Sequence, residues 1–180
     1  MKIFLSVGHS ILKDGRITSA DGLINEYQYC KRLSFLLQQF LIQKGHEVEL
    51  VICPEYQFES AKEERKYKLA IENRGRFDLC AELHLNAYSD NTANGSEVYY
   101  KTSRGKPFAV SITNKLGMRF KNRGAKKQDG LYMLNRTKAP AVLIETFFCT
   151  NMEDCTRGED VSAVANLIAE GIHAMIYVAD

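Results

Sequence analysis

The sequence lacks the features that mark several large classes of protein. No stretch approaches the ~18 to 20 consecutive apolar residues that a membrane-spanning helix requires, so we expect no membrane insertion. Only 3 of the 180 residues are proline and 12 are glycine, which excludes collagen-like and most disordered chains. The 24 basic and 22 acidic side chains leave a formal net charge of only +2, so we expect no nucleic-acid partner.

The cysteines lack the spacing of a disulfide framework or of a cysteine-ligated zinc site. There are 5 of them, an odd number, and no two form a C-x-x-C pair. We therefore expect reduced thiols, most of them in the core. The apolar stretch at residues 1–8 is too short for the core of a signal peptide, so we expect synthesis in the cytoplasm.

The order of apolar segments predicts an α/β fold, because short apolar runs alternate with longer stretches of helical period. The length and the 45% hydrophobic content are those of one globular domain, so we expect residues 1–180 to form a single domain. Strands are predicted at 2–7, 47–53, 77–86, 96–101, 131–134 and 141–145. Helices are predicted at 25–44, 62–74, 106–121 and 161–177, with Asp160 as the N-cap of the last.

Polar side chains stand where several predicted strands end. His9 follows the first strand, and alternation along the third strand places Glu82, His84 and Asn86 on one face. Glu145 interrupts an apolar strand near its end. Because burial of an unpaired carboxylate is costly, such a group usually has a partner or a chemical role.

These strand ends are predicted to meet, because ligands of open α/β sheets bind beyond the carboxyl ends of the strands. Glu26, on the buried side of the first helix near its start, can point toward the same edge. Singly, His9 fits a turn residue and Glu26 fits a carboxylate stabilised by the helix dipole. Together, two imidazoles and a carboxylate with an open fourth position make a common catalytic zinc set.

Five ordered segments carry a resemblance to a known family. They are residues 7–10, 25–27, 83–87, 95–100 and 140–145. With these segments the chain resembles the zinc-dependent N-acetylmuramoyl-L-alanine amidases of the amidase 3 family, and it is especially similar to the catalytic domains of clostridial phage endolysins. The resemblance implies a twisted, mostly parallel mixed sheet of about six strands with helices on both faces. It also implies hydrolysis of the amide between N-acetylmuramic acid and L-alanine in peptidoglycan.

The resemblance also implies roles for individual residues. His9, Glu26 and His84 would bind zinc, and Glu145 would be the catalytic carboxylate. Glu82 stands where the family commonly has a small polar residue, and we expect it to hold a ligand or a groove residue in place. Asn86 is expected to support the same site.

Two other functions stay open at this point. A zinc peptidase that cuts within peptidoglycan stem peptides could use the same side chains, and a non-catalytic wall-binding module could retain them in a degenerate site. We expect a monomer that acts on the cell wall after release through a holin pore or by cell lysis, as a phage lysin or a host autolysin. No wall-binding domain is evident in the sequence.

Three further features are predicted to be unrelated to the site. His46 follows a helix end and is expected to be solvent-exposed, whereas His173 is expected to be a packing or surface residue of the last helix. The basic residues between 121 and 127 are expected to form a solvated loop, although they could favour an anionic cell wall.

Overall fold

Six strands form one sheet in the computed structural model, which describes residues 1–178. They are β1 (Lys2–Val7), β2 (Glu47–Val51), β3 (Leu79–Asn86), β4 (Ser96–Tyr100), β5 (Asn122–Lys127) and β6 (Ala141–Phe148). Their order across the sheet is β2-β1-β3-β6-β4-β5. Strands β4 and β6 pair antiparallel, and the other neighbours pair parallel. The mostly parallel mixed sheet is therefore confirmed.

Helices cover both faces of this sheet. Within the described residues the α-helices are α1 (Glu26–Gln43), α2 (Ala61–Glu72), α3 (Lys106–Leu116), α4 (Tyr132–Arg136), α5 (Met152–Gly158) and α6 (Val161–His173), and a 3-10 helix follows at Ala174–Val178. Helix α6 packs against α1 and α3 on one face, and α2 contacts α4 on the other. As predicted, Asp160 caps α6, because its side chain accepts a hydrogen bond from the backbone N–H of Ala163. No helix in this part of the chain has the length and apolar character needed to cross a membrane.

Alternation along the central strands divides the interior into two cores. The larger core lies under α1, α3 and α6 and takes from the strands Ile3, Leu5, Ala81, Leu83, Val142 and Ile144. The smaller core lies under α2 and α4 and takes from them Phe4, Cys80 and Leu143. All five cysteines are buried free thiols, as expected. Toward the carboxyl ends of β3 and β6, the face of the smaller core changes from apolar to charged side chains.

Two segments were predicted wrongly: a predicted strand is a helix, and a predicted loop is the sixth strand. Residues 131–134, predicted as a strand, begin the short helix α4, whose Met133 and Leu134 enter the smaller core. A short apolar run has no periodicity that separates a strand from one turn of helix. The sixth strand is instead β5, which was predicted as a solvated loop. It is an edge strand with cationic side chains, a composition typical of protected sheet edges.

His46 is buried, which corrects the prediction that it is solvent-exposed. Only 4% of its surface is accessible, and its Nε2 lies 3.1 Å from Nδ1 of His173. Burial, assisted by the positive charge of the N-terminus, lowers the pKa of His46 to about 4. The chain turns at Gly45, whose φ of 83° returns His46 toward the helices.

Candidate metal centre

His9 and His84 approach each other at the carboxyl edge of β1 and β3. The two ring centroids are 4.9 Å apart, with the rings almost perpendicular at 84°. His9 follows β1 in a left-handed conformation, with φ of 64°, an unusual geometry for a residue with a side chain. At Gly8 an added Cβ would lie 2.2 Å from Cε1 of His84, so the close approach of this ring requires glycine.

Glu26 lies between the two imidazoles as the first residue of α1. Its Oε1 is 2.9 Å from Nδ1 of His84 and 3.3 Å from Nε2 of His9. The backbone N–H of Ala20 donates to Oε2 at 2.9 Å, and the N–H of Leu85 donates to Oε1 at 3.2 Å. These bonds fix a carboxylate that is only 3% exposed. One donor atom from each of His9, Glu26 and His84 lies within 4.8 Å of the others, so the cluster could hold a metal ion.

The charges of this cluster depend on one another. Burial alone would raise the pKa of Glu26, but the imidazoles of His84 and His9 outweigh burial and hold that pKa well below its usual range. Burial likewise opposes a charge on His84, yet Glu26 and Glu82 raise its pKa to about 10. The metal-free cluster therefore favours a cation beside Glu26. A metal ion would supply that cation and displace the proton from His84.

Glu82 lies on the same face of β3 as His84, as alternation predicts. Its Oε2 is 3.5 Å from Nε2 of His84, the ring nitrogen that points away from Glu26. Its Oε1 accepts a short hydrogen bond from Nζ of Lys68, a side chain of α2 that is 2% exposed and that also donates to the carbonyl of Val7 at 3.1 Å. Burial opposes the charge of Glu82, but Lys68 and His84 hold its pKa well below the usual range. The buried Lys68–Glu82 ion pair thus lies directly beside the His84 ring.

Glu145 faces the cluster from β6, in register with His84 on β3. Its Oε2 is buried and has no hydrogen-bond partner among the described residues. Burial raises the pKa of Glu145 to about 7, because the opposing attraction of His84 is partly offset by repulsion from Glu26. The carboxyl group is therefore able to gain and lose a proton near neutral pH.

A second charged network, on β4 and β5, lies beside Glu145. Glu97 is paired directly with Glu145 across the antiparallel strands and is 2% exposed. Its Oε1 accepts from the side-chain amide of Asn86 at 3.0 Å, and its Oε2 accepts from Nε of Arg123 at 2.7 Å and from Nζ of Lys126. Two cations of the predicted loop are thus bound to a buried carboxylate that the sequence analysis missed.

Comparison with known proteins identifies the family of this chain. A family model described as N-acetylmuramoyl-L-alanine amidase matches residues 3–174. The chain belongs to the amidase 3 family. Its fold is similar to the catalytic domain of the CD27L endolysin targeting Clostridia difficile, with a TM-score of 0.93, 50% sequence identity and 96% of each chain covered.

Curated relatives of this amidase 3 chain extend the comparison. The germination-specific N-acetylmuramoyl-L-alanine amidase of Bacillus subtilis is 25% identical over 94% of this chain and 77% of its own length. An uncharacterized 38.4 kDa protein of Clostridium perfringens is 29% identical over 96% of this chain and 51% of its own length. The chain thus spans about half the length of this Clostridium perfringens relative.

The donor set of the amidase 3 chain fits a zinc ion. Two imidazole nitrogens and one carboxylate oxygen are the donors of many catalytic zinc sites. Backbone hydrogen bonds fix the carboxylate of Glu26, and a cavity beside His9 and His84 leaves space for a further ligand. Metal-ligating histidines usually donate their other N–H to a carboxylate, and Glu82 occupies that position beside His84.

Removal of one charge from the Lys68–Glu82 pair should destabilise the fold. Glu82→Gln would leave the buried ammonium of Lys68 without its counter-charge, and we expect the free energy of unfolding to fall by about 3 kcal/mol. Urea unfolding of metal-free protein at neutral pH measures this change. Glu59→Gln, in the exposed pair with Lys13, is the matched control and should leave stability nearly unchanged. Equal effects of the two substitutions would contradict the assignment.

Proposed function

We propose that this chain hydrolyses the amide bond between N-acetylmuramic acid and L-alanine in peptidoglycan, with zinc as cofactor and Glu145 as general base. The observation that carries the proposal is the joint position of the His9–Glu26–His84 cluster and of Glu145 opposite His84, whose buried Oε2 accepts no hydrogen bond from the described residues. Membership of the amidase 3 family supports the same substrate bond.

In the proposed mechanism, three side chains hold the metal and a fourth transfers one proton. Nδ1 of His84, Nε2 of His9 and the carboxylate of Glu26 would be the ligands. A zinc ion bound there would act as a Lewis acid, which would lower the pKa of water and polarise the scissile carbonyl. Oε2 of Glu82, 3.5 Å from Nε2 of His84, would favour a proton on that nitrogen and leave Nδ1 free to bind the metal.

Glu145 carries the proton in this mechanism. Its Oε2 has no competing donor among the described residues, so it is free to accept a proton from the attacking water and to deliver it to the departing amine. Its pKa of about 7 without metal would fall beside a bound cation, which favours the carboxylate form at neutral pH. Asn86 is a supporting residue, since its amide donates to Glu97.

The wider role follows from the substrate. We propose that the chain acts as a monomer on the cell wall, either as a phage lysin or as a host autolysin, after release through a holin pore or by cell lysis. The endolysin catalytic domain with 50% identity supports the first of these, and the germination-specific amidase supports a host role.

Digestion of purified sacculi tests the proposed function. We expect intact stem peptides with a free L-alanine amino terminus, uncut glycan strands, and loss of release after treatment with a chelator. Mass spectrometry of the soluble fragments identifies the bond that is cut. New amino termini at the second or third stem residue would favour the peptidase, and wall binding without release would favour a non-catalytic module.

The role of Glu145 predicts the behaviour of Glu145→Gln. The substitution keeps the size of the side chain but removes the proton acceptor, so the rate should fall about 100-fold or more while the fold and zinc content are retained. Turnover of muropeptides and metal analysis measure the two properties. Glu49→Gln on β2 is a matched control, because that side chain is exposed and lies away from the cluster. Loss of zinc from Glu145→Gln would instead make Glu145 a ligand.

A further inference from the structure

A cavity of about 420 Å³ opens beside His9 and His84 and extends between α2 and α4. Leu143 of β6 lines it from the sheet, and Tyr132 and Met133 line it from α4. A substrate held at the metal cluster would extend into this space on one side of its scissile bond. The cavity is large enough for part of a small ligand, since most ligand pockets measure roughly 300 to 1,000 Å³.

Arg65 is the unpaired cation of this cavity. It is an exposed residue of α2, and no hydrogen bond or ion pair engages its guanidinium within the described residues. Lys68, one helical turn further on, is buried and bound to Glu82. Glu64, beside Arg65 in sequence, accepts from the hydroxyls of Ser10 and Thr18. The donors of Arg65 therefore remain available to a ligand.

Tyr132 lies beneath the guanidinium and favours one orientation of it. The central carbon of the Arg65 guanidinium lies 5.6 Å from the centroid of the Tyr132 ring, within the range of a cation–π contact. A planar guanidinium with a fixed orientation loses less freedom on binding a carboxylate and can donate to both of its oxygens. Glu64 also binds this part of α2 to Ser10, the neighbour of His9, and Arg65 lines the same cavity as His9 and His84.

The charge of Arg65 distinguishes the two sides of the substrate. The lactyl carboxyl group of N-acetylmuramic acid is consumed in the scissile amide, so the sugar side carries no anion for a guanidinium to bind. The stem peptide carries carboxylates beyond L-alanine. We infer that the cavity is the subsite for the stem peptide and that Arg65, oriented by Tyr132, binds the α-carboxylate of the residue that follows L-alanine. This inference rests on the proposed function.

The subsite is tested with two muramoyl tripeptides that differ only at the second residue, a γ-linked glutamate. In one tripeptide this glutamate has a free α-carboxylate, and in the other it has an α-carboxamide. Binding is measured by calorimetry on zinc-loaded Glu145→Gln protein, so that no turnover is needed. We expect the carboxylate form to bind about 10-fold more tightly, the scale of one charge-assisted interaction. Adding Arg65→Gln should abolish this preference, and Arg65→Lys should restore part of it.

Arg32→Gln is the matched control, because the Arg32 guanidinium also lies over a tyrosine ring, 5.8 Å from the centroid of Tyr29, outside the cavity. It should leave the preference intact. Equal affinity for the two tripeptides, or a preference that survives Arg65→Gln, would overturn the subsite. Hydrolysis of both tripeptides by the unsubstituted protein is scored separately. Failure to hydrolyse either would count against the proposed function, while the binding preference would still decide the role of Arg65.

Discussion

The site depends on one buried carboxylate shared by two imidazoles. Glu26 is almost inaccessible to water, and a buried charge of this kind is costly unless hydrogen bonds and opposite charges compensate it. Two backbone N–H groups, from Ala20 and Leu85, donate to its oxygens, His84 provides a positive partner, and Nε2 of His9 lies 3.3 Å from Oε1. The parallel pairing of β1 with β3 brings the two histidines together, and the start of α1 brings Glu26 to them.

The candidate metal centre contains four buried or half-buried carboxylates, and the different partners of these carboxylates explain their different roles. Glu26 has the imidazoles, Glu82 has Lys68, and Glu97 has Arg123 and Lys126. Glu145 has no such partner among the described residues, and its pKa alone among the four is raised. The three compensated carboxylates keep their negative charge, which suits Glu82 and Glu97 to structural support and Glu26 to metal binding. The uncompensated one is suited to moving a proton, which is the role proposed for it.

Much of this arrangement was predictable from local sequence patterns. Alternation along β3 placed Glu82, His84 and Asn86 on one face. The apolar run before Glu145 indicated a buried strand that carries a carboxylate, although β6 continues beyond the predicted end at residue 145 to Phe148. Such patterns need only neighbouring residues. The long first helix and the strand before His9 were predicted for the same reason.

The parts that were missed depend on contacts between residues distant in sequence. Lys68 belongs to a helix rich in mixed charges that resembles a solvated surface, and only the fold shows that it is buried against Glu82. Arg123 and Lys126 appeared to belong to a basic loop because their partner, Glu97, lies on another strand. Because 131–134 was predicted as a strand, the sequence analysis also missed Tyr132, whose ring lies against Arg65 at the cavity.

The most direct test of the account is zinc K-edge X-ray absorption on protein loaded with one equivalent of the metal. We predict a coordination shell of two imidazoles and low-atomic-number oxygen ligands, with no sulfur, and a loss of tight zinc binding in His84→Ala. A sulfur ligand would contradict the account, because each cysteine is a buried thiol assigned to the core. An unchanged zinc coordination shell in His84→Ala would also contradict the account, because His84 would then not be a ligand of the metal bound by Glu26.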